Sequence, residues 1–222
     1  MACMICVSLA GPKLEDVRAA MARLDFVELR LDLIQASEVQ VEALVAGHPN
    51  CLVTCRPSRN LDDGARQGLL CAGLRAGARW LDLELESDLV WRDALLAQAR
   101  KTACRVIISH HDHEGTPSRD ALSALRQACF SAGAEVAKIA CLVRRPQDSA
   151  RLLGLLDEPE PTLVIGMGPQ GRLCRVLAPL LGSPFTYASL AEGEETAPGQ
   201  LDLRTMQSWL SRLRDLTGED PA

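Results

Sequence analysis

Lys138 is the one charge within Val136-Ala-Lys-Ile-Ala-Cys141, a run of otherwise small apolar residues. A lysine is almost never fully buried unless paired, and burial disfavours its ammonium form. What remains is a neutral amine, the species that attacks a carbonyl. The residue types therefore point to imine chemistry, with a structural ion pair as the other reading. Ser109-His-His-Asp-His113 closes a second apolar run. His110 and His111 would face opposite sides of a strand, so at most one can serve a common site as a base titrating near neutrality. Alternation does not say which of the two it is. His113, beyond the strand end, reads as a solvated loop residue.

Charges recur on other β-rich runs. Glu28, Arg30 and Asp32 alternate with Val27, Leu29 and Leu31, Asp82, Glu84 and Glu86 share a second face, and Thr54 and Arg56 share a third. Parallel strands covered on both faces should be almost continuously Val, Ile and Leu. Such charges either form a salt-bridge layer inside a barrel, an even alternative for Glu28 and Arg30, or converge on a site at the strand ends. Gly166-Met-Gly168-Pro-Gln-Gly171 matches a dinucleotide fingerprint. It follows the seventh strand rather than the first, and the next strand ends in Ser instead of an acid, so NAD is rejected. The position suits an anion site at a helix start, reinforced by Arg175.

The elements that must hold these residues alternate along the chain. Strands are expected at Met4–Leu9, Phe26–Leu33, Leu52–Arg56, Trp80–Glu86, Arg105–His111, Val136–Leu142, Thr162–Met167 and Phe185–Ser189. Helical periodicity occupies Lys13–Leu24, Glu38–Ala46, Ala65–Ala76, Leu89–Ala99, Ser118–Ala132, Pro146–Leu156, Gly171–Leu181 and Leu201–Leu216. Eight strand–helix units in 222 residues suit a (β/α)8 TIM barrel better than an open sheet, which usually has five or six strands. No linker composition interrupts the chain, so residues 1–222 read as a single barrel domain.

Composition narrows the function. A net charge of −5 argues against nucleic-acid binding, which needs a basic face. No apolar run is long enough to span a membrane, and Met1–Gly11 lacks the basic start of a signal peptide, so a soluble cytoplasmic protein is expected. The nine cysteines are scattered and mostly sit in apolar stretches, as reduced buried residues do. Cys3 and Cys6 have metal-ligand spacing but no second pair follows, and no metal is expected.

In this order the motifs resemble type I 3-dehydroquinate dehydratase, the Schiff-base lyase of the shikimate pathway. The resemblance covers nearly the whole chain from Ile5-Cys-Val-Ser8 onward. It is carried by Glu28-Leu-Arg-Leu-Asp32, Ser109-His-His-Asp112 with Thr116-Pro117, Val136-Ala-Lys-Ile139, Met167-Gly168 with Arg175, and Ala197-Pro-Gly-Gln200. It implies a barrel with no metal or organic cofactor, acting on the small molecule 3-dehydroquinate, and leaves a homodimer open because members are often dimers. It puts Lys138 at the imine-forming position and His111 at the proton-transfer position. Ser8, Glu28, Arg30, Arg56, Arg175, Thr196 and Gln200 fall on substrate-binding positions, Arg175 as the carboxylate clamp. The stretch Ala191–Gln200 would close over the substrate. Three departures stand out: Thr196 and Gly166 replace serines, and the loop after Arg56 is longer, with Asp62 or Asp63 where the family has a glutamate. The rival readings are a class I Schiff-base aldolase and a non-catalytic barrel that binds a cyclic hydroxy acid.

Overall fold

The computed structural model describes residues 4–217 apart from Pro12 and Pro49, so Cys3 lies outside it. Its strands are β1 (Met4–Leu9), β2 (Val27–Arg30), β3 (Cys51–Thr54), β4 (Trp80–Glu84), β5 (Arg105–Asp112), β6 (Val136–Leu142), β7 (Thr162–Met167), β8 (Phe185–Ser189) and β9 (Leu201–Asp202). The helices are α1 (Leu14–Met21), α2 (Glu38–Ala46), α3 (Asp63–Arg75), α4 (Leu89–Ala99), α5 (Arg119–Ser131), α6 (Pro146–Leu153), α7 (Arg172–Leu177) and α8 (Leu203–Thr217). All the pairings are parallel, in the order β7-β6-β5-β4-β3-β2-β1-β8-β9. The sheet curls into a (β/α)8 TIM barrel with the helices outside.

Alternation along the strands separates two apolar layers. Outward residues such as Leu29, Val53, Leu81, Ile108, Ile139 and Val164 pack under the helices. Inward residues from seven of the barrel strands, with Phe26 just ahead of β2, form a separate inner cluster. Its floor is aromatic, with Phe185 edge-on to Phe26 (centroids 5.0 Å, 78°) and to Trp80 (5.5 Å, 69°). Each such contact contributes about 0.5–1.5 kcal/mol beyond the area it buries. These rings fill the N-terminal end of the barrel, below the strand ends that carry the charged residues.

Helix starts follow their capping residues. Ser37 and Gln40 form a reciprocal capping box on α2, and Asp62, Asp88 and Ser118 cap α3, α4 and α5. Three expectations are corrected. Leu201 and Asp202 begin no helix; they form β9 beside Ala188 and Ser189, and Asp202 accepts from Thr205 N at 3.0 Å. The helical stretch Gly171–Leu181 breaks into α7 flanked by 3-10 turns. Pro179 has no N–H for the Arg175 carbonyl, which instead accepts from Thr186 Oγ1 at 2.8 Å. Strand β2 stops at Arg30, because Leu33 N and Ile34 N both turn back to the Arg30 carbonyl. Asp32 therefore sits in a turn and does not continue the charged face. Among the described cysteines all are free and all but Cys71 are buried.

Two glycine pairs bring backbone against backbone beside β7. A Cβ on Gly166 would stand 2.5 Å from the Gly171 carbonyl oxygen, and one on Gly171 would overlap Gly166. Gly199, at φ +77°, packs onto Gly168, and Gly168 N donates to the Pro198 carbonyl at 3.1 Å. Close backbone packing thus accounts for the glycine pattern.

Candidate active site

The register sets Glu84 beside Ser109, and Ser109 beside Lys138. The inward residues of these strands surround a cavity of about 350 Å³, the scale of a small-ligand site. Its wall includes Glu28, Arg30, Arg56, His111, Lys138 and Arg175, closed above by Thr196 and Gln200. Ile165 and Met167 supply an apolar side.

Lys138 is buried, and its Nζ donates to Asp82 Oδ2 at 2.8 Å and lies 3.4 Å from the Tyr187 hydroxyl. The same Asp82 oxygen accepts from Arg56 at 2.7 Å, and Asp82 Oδ1 accepts from Ser109 Oγ at 2.6 Å. Burial alone would raise the Asp82 carboxyl, but Arg56 and Lys138 hold it well below the usual range. Lysine 138 therefore has an ion-pair partner, one it shares with Arg56.

His111 faces the cavity and His110 the outer side of β5, which answers the question alternation left open. Burial, then Arg56 and Lys138, pushes the His111 imidazole well below its ordinary value. Its Nδ1 is buried without a hydrogen-bond partner, and Glu84 Oε1 lies 3.5 Å away without bonding geometry. Neither Asp62, which caps α3, nor Asp63, which pairs with Arg66, reaches His111; Glu84 is the acid beside it. His110 hydrogen-bonds Glu86, which raises its pKa. A raised histidine contributes stability below its unfolded pKa and loses it as pH rises through the folded one. His110→Ala should lower Tm by about 2–4 °C near pH 6, a modest effect because Glu86 is 56% exposed. The deficit should shrink by pH 9 while kcat/KM holds; a dead variant would contradict the register of β5.

The remaining expected residues fall as follows. Glu28 accepts from Ser8 Oγ, which in turn accepts from Thr196 Oγ1 at 2.8 Å. Ser8 thus braces the wall and lines a neighbouring groove instead of the main cavity. Arg30 is held bidentate by Asp32 (3.1 and 2.8 Å) and donates to the Thr196 carbonyl at 3.0 Å. Gln200 Oε1 accepts from Thr196 N at 2.8 Å, so the loop between β8 and β9 lies folded over the strand ends. Arg175 is 1% exposed. It donates only to the Gly166 and Pro198 carbonyls, with no carboxylate partner among the described residues. Burial lowers its pKa to about 10.

Five residues here were not singled out as site residues from the sequence. Asp82 and Glu84 were visible as alternating acids, and Ser109 lies two positions before His111. Tyr187 shares the inward parity of Phe185, but a lone aromatic on a strand reads as core. His113 was expected in solvent; it is exposed, yet it borders the cavity and its ring stacks parallel to that of His111 (6.3 Å, 13°).

The fold and site together define a (β/α)8-barrel enzyme built around a buried lysine with a neutral imidazole nearby. The family described as type I 3-dehydroquinase matches residues 5–217, and the chain belongs to that family of hydro-lyases. The 3-dehydroquinate dehydratase of Syntrophobacter fumaroxidans is 34% identical, over 93% of this chain and 95% of its own. That of Coxiella burnetii is 32% identical over 97% of both. Among solved structures, the 3-dehydroquinate dehydratase of Geobacillus kaustophilus superposes with a TM-score of 0.85 at 24% identity, covering 99% of this chain and 93% of that one. The type I enzyme of Clostridium difficile, solved with covalently modified comenic acid, gives 0.84 at 22%, covering 96% and 93%. Among the described residues no helix is long and apolar enough to cross a membrane.

Proposed function

We propose that this chain dehydrates 3-dehydroquinate to 3-dehydroshikimate in the shikimate pathway, through an imine on Lys138 and with His111 moving the proton at C2. The observation that carries this reading is the convergence of three groups on one cavity. They are a buried amine, an imidazole kept neutral by burial and by two cations, and a buried guanidinium without an acid.

Nζ adds to the ring ketone carbon as one of its ammonium protons passes to the ketone oxygen, and the C–O bond of the resulting carbinolamine then breaks. Of the three ammonium protons one stays on nitrogen and two leave with the oxygen as water. The iminium is the electron sink, so the reaction calls for no cofactor. His111 takes the C2 proton, and the C–H electrons run to nitrogen to give an enamine. Their return breaks the C1–O bond, and the hydroxyl departs as water with the proton from His111. Water then adds to the conjugated iminium, restoring the ammonium and releasing the enone. Arg175 would hold the substrate carboxylate in a bidentate pair, and Glu28, Arg30 and Arg56 would meet ring hydroxyls. Ser8 would act through Glu28 and Thr196. Thr196 and Gln200 would close the site above the ring.

The test is growth of enone absorbance on adding 3-dehydroquinate, followed across pH. A base must be unprotonated to work, and lowering its pKa extends its working range toward acid. kcat/KM should therefore stay flat as pH falls through about 6.5, the ordinary histidine value, and decline only below it. No enone at any pH overturns the function. An acid limb centred at the ordinary value means that His111 is not the base.

A further inference from the structure

Tyr187 is the only tyrosine in the chain. It stands on β8 inside the barrel, 4% exposed, with its ring edge-on to Phe185 (5.4 Å, 61°). That contact would serve a phenylalanine equally well. The hydroxyl is what needs explaining, because a buried phenol costs stability unless it is bonded. Among the described residues its hydrogen-bond partner is Lys138 Nζ, at 3.4 Å. The same nitrogen lies over the ring face, 4.5 Å from the centroid.

We propose that Tyr187 positions the Lys138 amine for attack: its hydroxyl oxygen and the Asp82 carboxylate accept the two N–H groups, leaving the nitrogen lone pair toward the cavity. The role rests on the imine reading of Lys138. Asp82 Oδ2 accepts at 2.8 Å and Tyr187 Oη is the longer, softer contact at 3.4 Å. A tetrahedral nitrogen with its chain bond and both N–H bonds committed has one direction left. Lys138 and Tyr187 line the same cavity, and an attack on a bound ketone needs that direction to face it. Once the iminium forms, nitrogen keeps a single proton, which stays with Asp82. Its positive charge then lies against the aromatic face, an attraction that strengthens when water is excluded. The phenol itself carries no proton in the step. Burial, with Glu28 and Cys6 nearby, pushes it well above the usual tyrosine value and keeps it neutral.

Tyr187→Phe keeps the ring and deletes only the hydroxyl. In single turnovers with excess enzyme, 3-dehydroquinate is quenched with borohydride at intervals and the adduct on Lys138 is quantified. The adduct should accumulate about 3–10-fold more slowly than in the wild type, the worth of a hydrogen bond between neutral groups. KM should stay within about twofold, because the carboxylate clamp is untouched. Adduct formation at the wild-type rate, with kcat unchanged, overturns the positioning role and leaves the imine intact. A rise in KM matching the loss of rate, with Tm lowered by several degrees, would mean a packing role and also overturns it. A wild-type enzyme that forms no adduct on Lys138 removes both readings.

Discussion

Borohydride added during turnover of 3-dehydroquinate should fix the ligand covalently to the peptide containing Lys138, and Lys138→Ala should abolish both the adduct and the activity. The expected loss is on the order of 10⁵–10⁶-fold in kcat, the scale of removing a covalent nucleophile. The fold should survive, because Asp82 keeps its bonds to Arg56 and Ser109 when the amine is gone. His111→Ala should behave differently. The amine can still add to the ketone, so an adduct still forms, but the C2 proton stays in place and kcat drops by about 10²–10⁴-fold. Mass spectrometry of the reduced enzyme reads the first quantity and enone absorbance the second. An adduct on another lysine, or full activity in Lys138→Ala, refutes the assignment.

Arg175→Ala should cut kcat/KM by about 10²–10³-fold, the cost of losing one partner of a buried charge pair in the complex. It should do so without unfolding the barrel. A guanidinium that is 1% exposed, with no acid beside it among the described residues, is poorly compensated in the empty site. Its removal therefore deletes two hydrogen bonds to carbonyls together with an unpaired buried charge. Arg175→Lys should recover little, since an ammonium cannot reproduce the planar fork. Kinetic constants within a few-fold of wild type in Arg175→Ala would mean that the carboxylate binds elsewhere.

Much of this architecture could be read from the chain because its two periodicities differ in kind. Four strand boundaries, at Met4–Leu9, Val136–Leu142, Thr162–Met167 and Phe185–Ser189, agree with expectation to the residue. In each case a mostly apolar or β-branched run is bounded by turn residues, and β6 is interrupted only by Lys138. Reading failed where tertiary contacts decided the outcome. Asp32 looked like a third charge on a strand face, but the chain turns at Arg30 so that the carboxylate can grip the guanidinium. Leu201 and Asp202 looked like the first turn of a helix, yet the free edge of β8 recruits them. Charged site residues were visible because a charge on a buried strand demands a reason. Tyr187 and His113 were not, since an aromatic in a strand and a histidine in a loop both have ordinary explanations. Only distance reveals their company.

The paired glycines beside β7 bear on how this protein tolerates change. None of Gly166, Gly171 and Gly199 carries a side chain that could meet a ligand, yet each has a neighbour where a methyl group would have to go. A saturation library scored for growth would rank them with Lys138, and a footprint drawn from such scores would spill out of the cavity and down the back of the barrel. Glu192, Glu194 and Glu195 would score as permissive, being exposed, whereas Gly193, at φ +86°, would not. Loop grafting between related barrels has its natural junction there: new sequence can enter between Ala191 and Glu195, provided that Pro198 and Gly199 are carried over as the foot on which any such loop must stand.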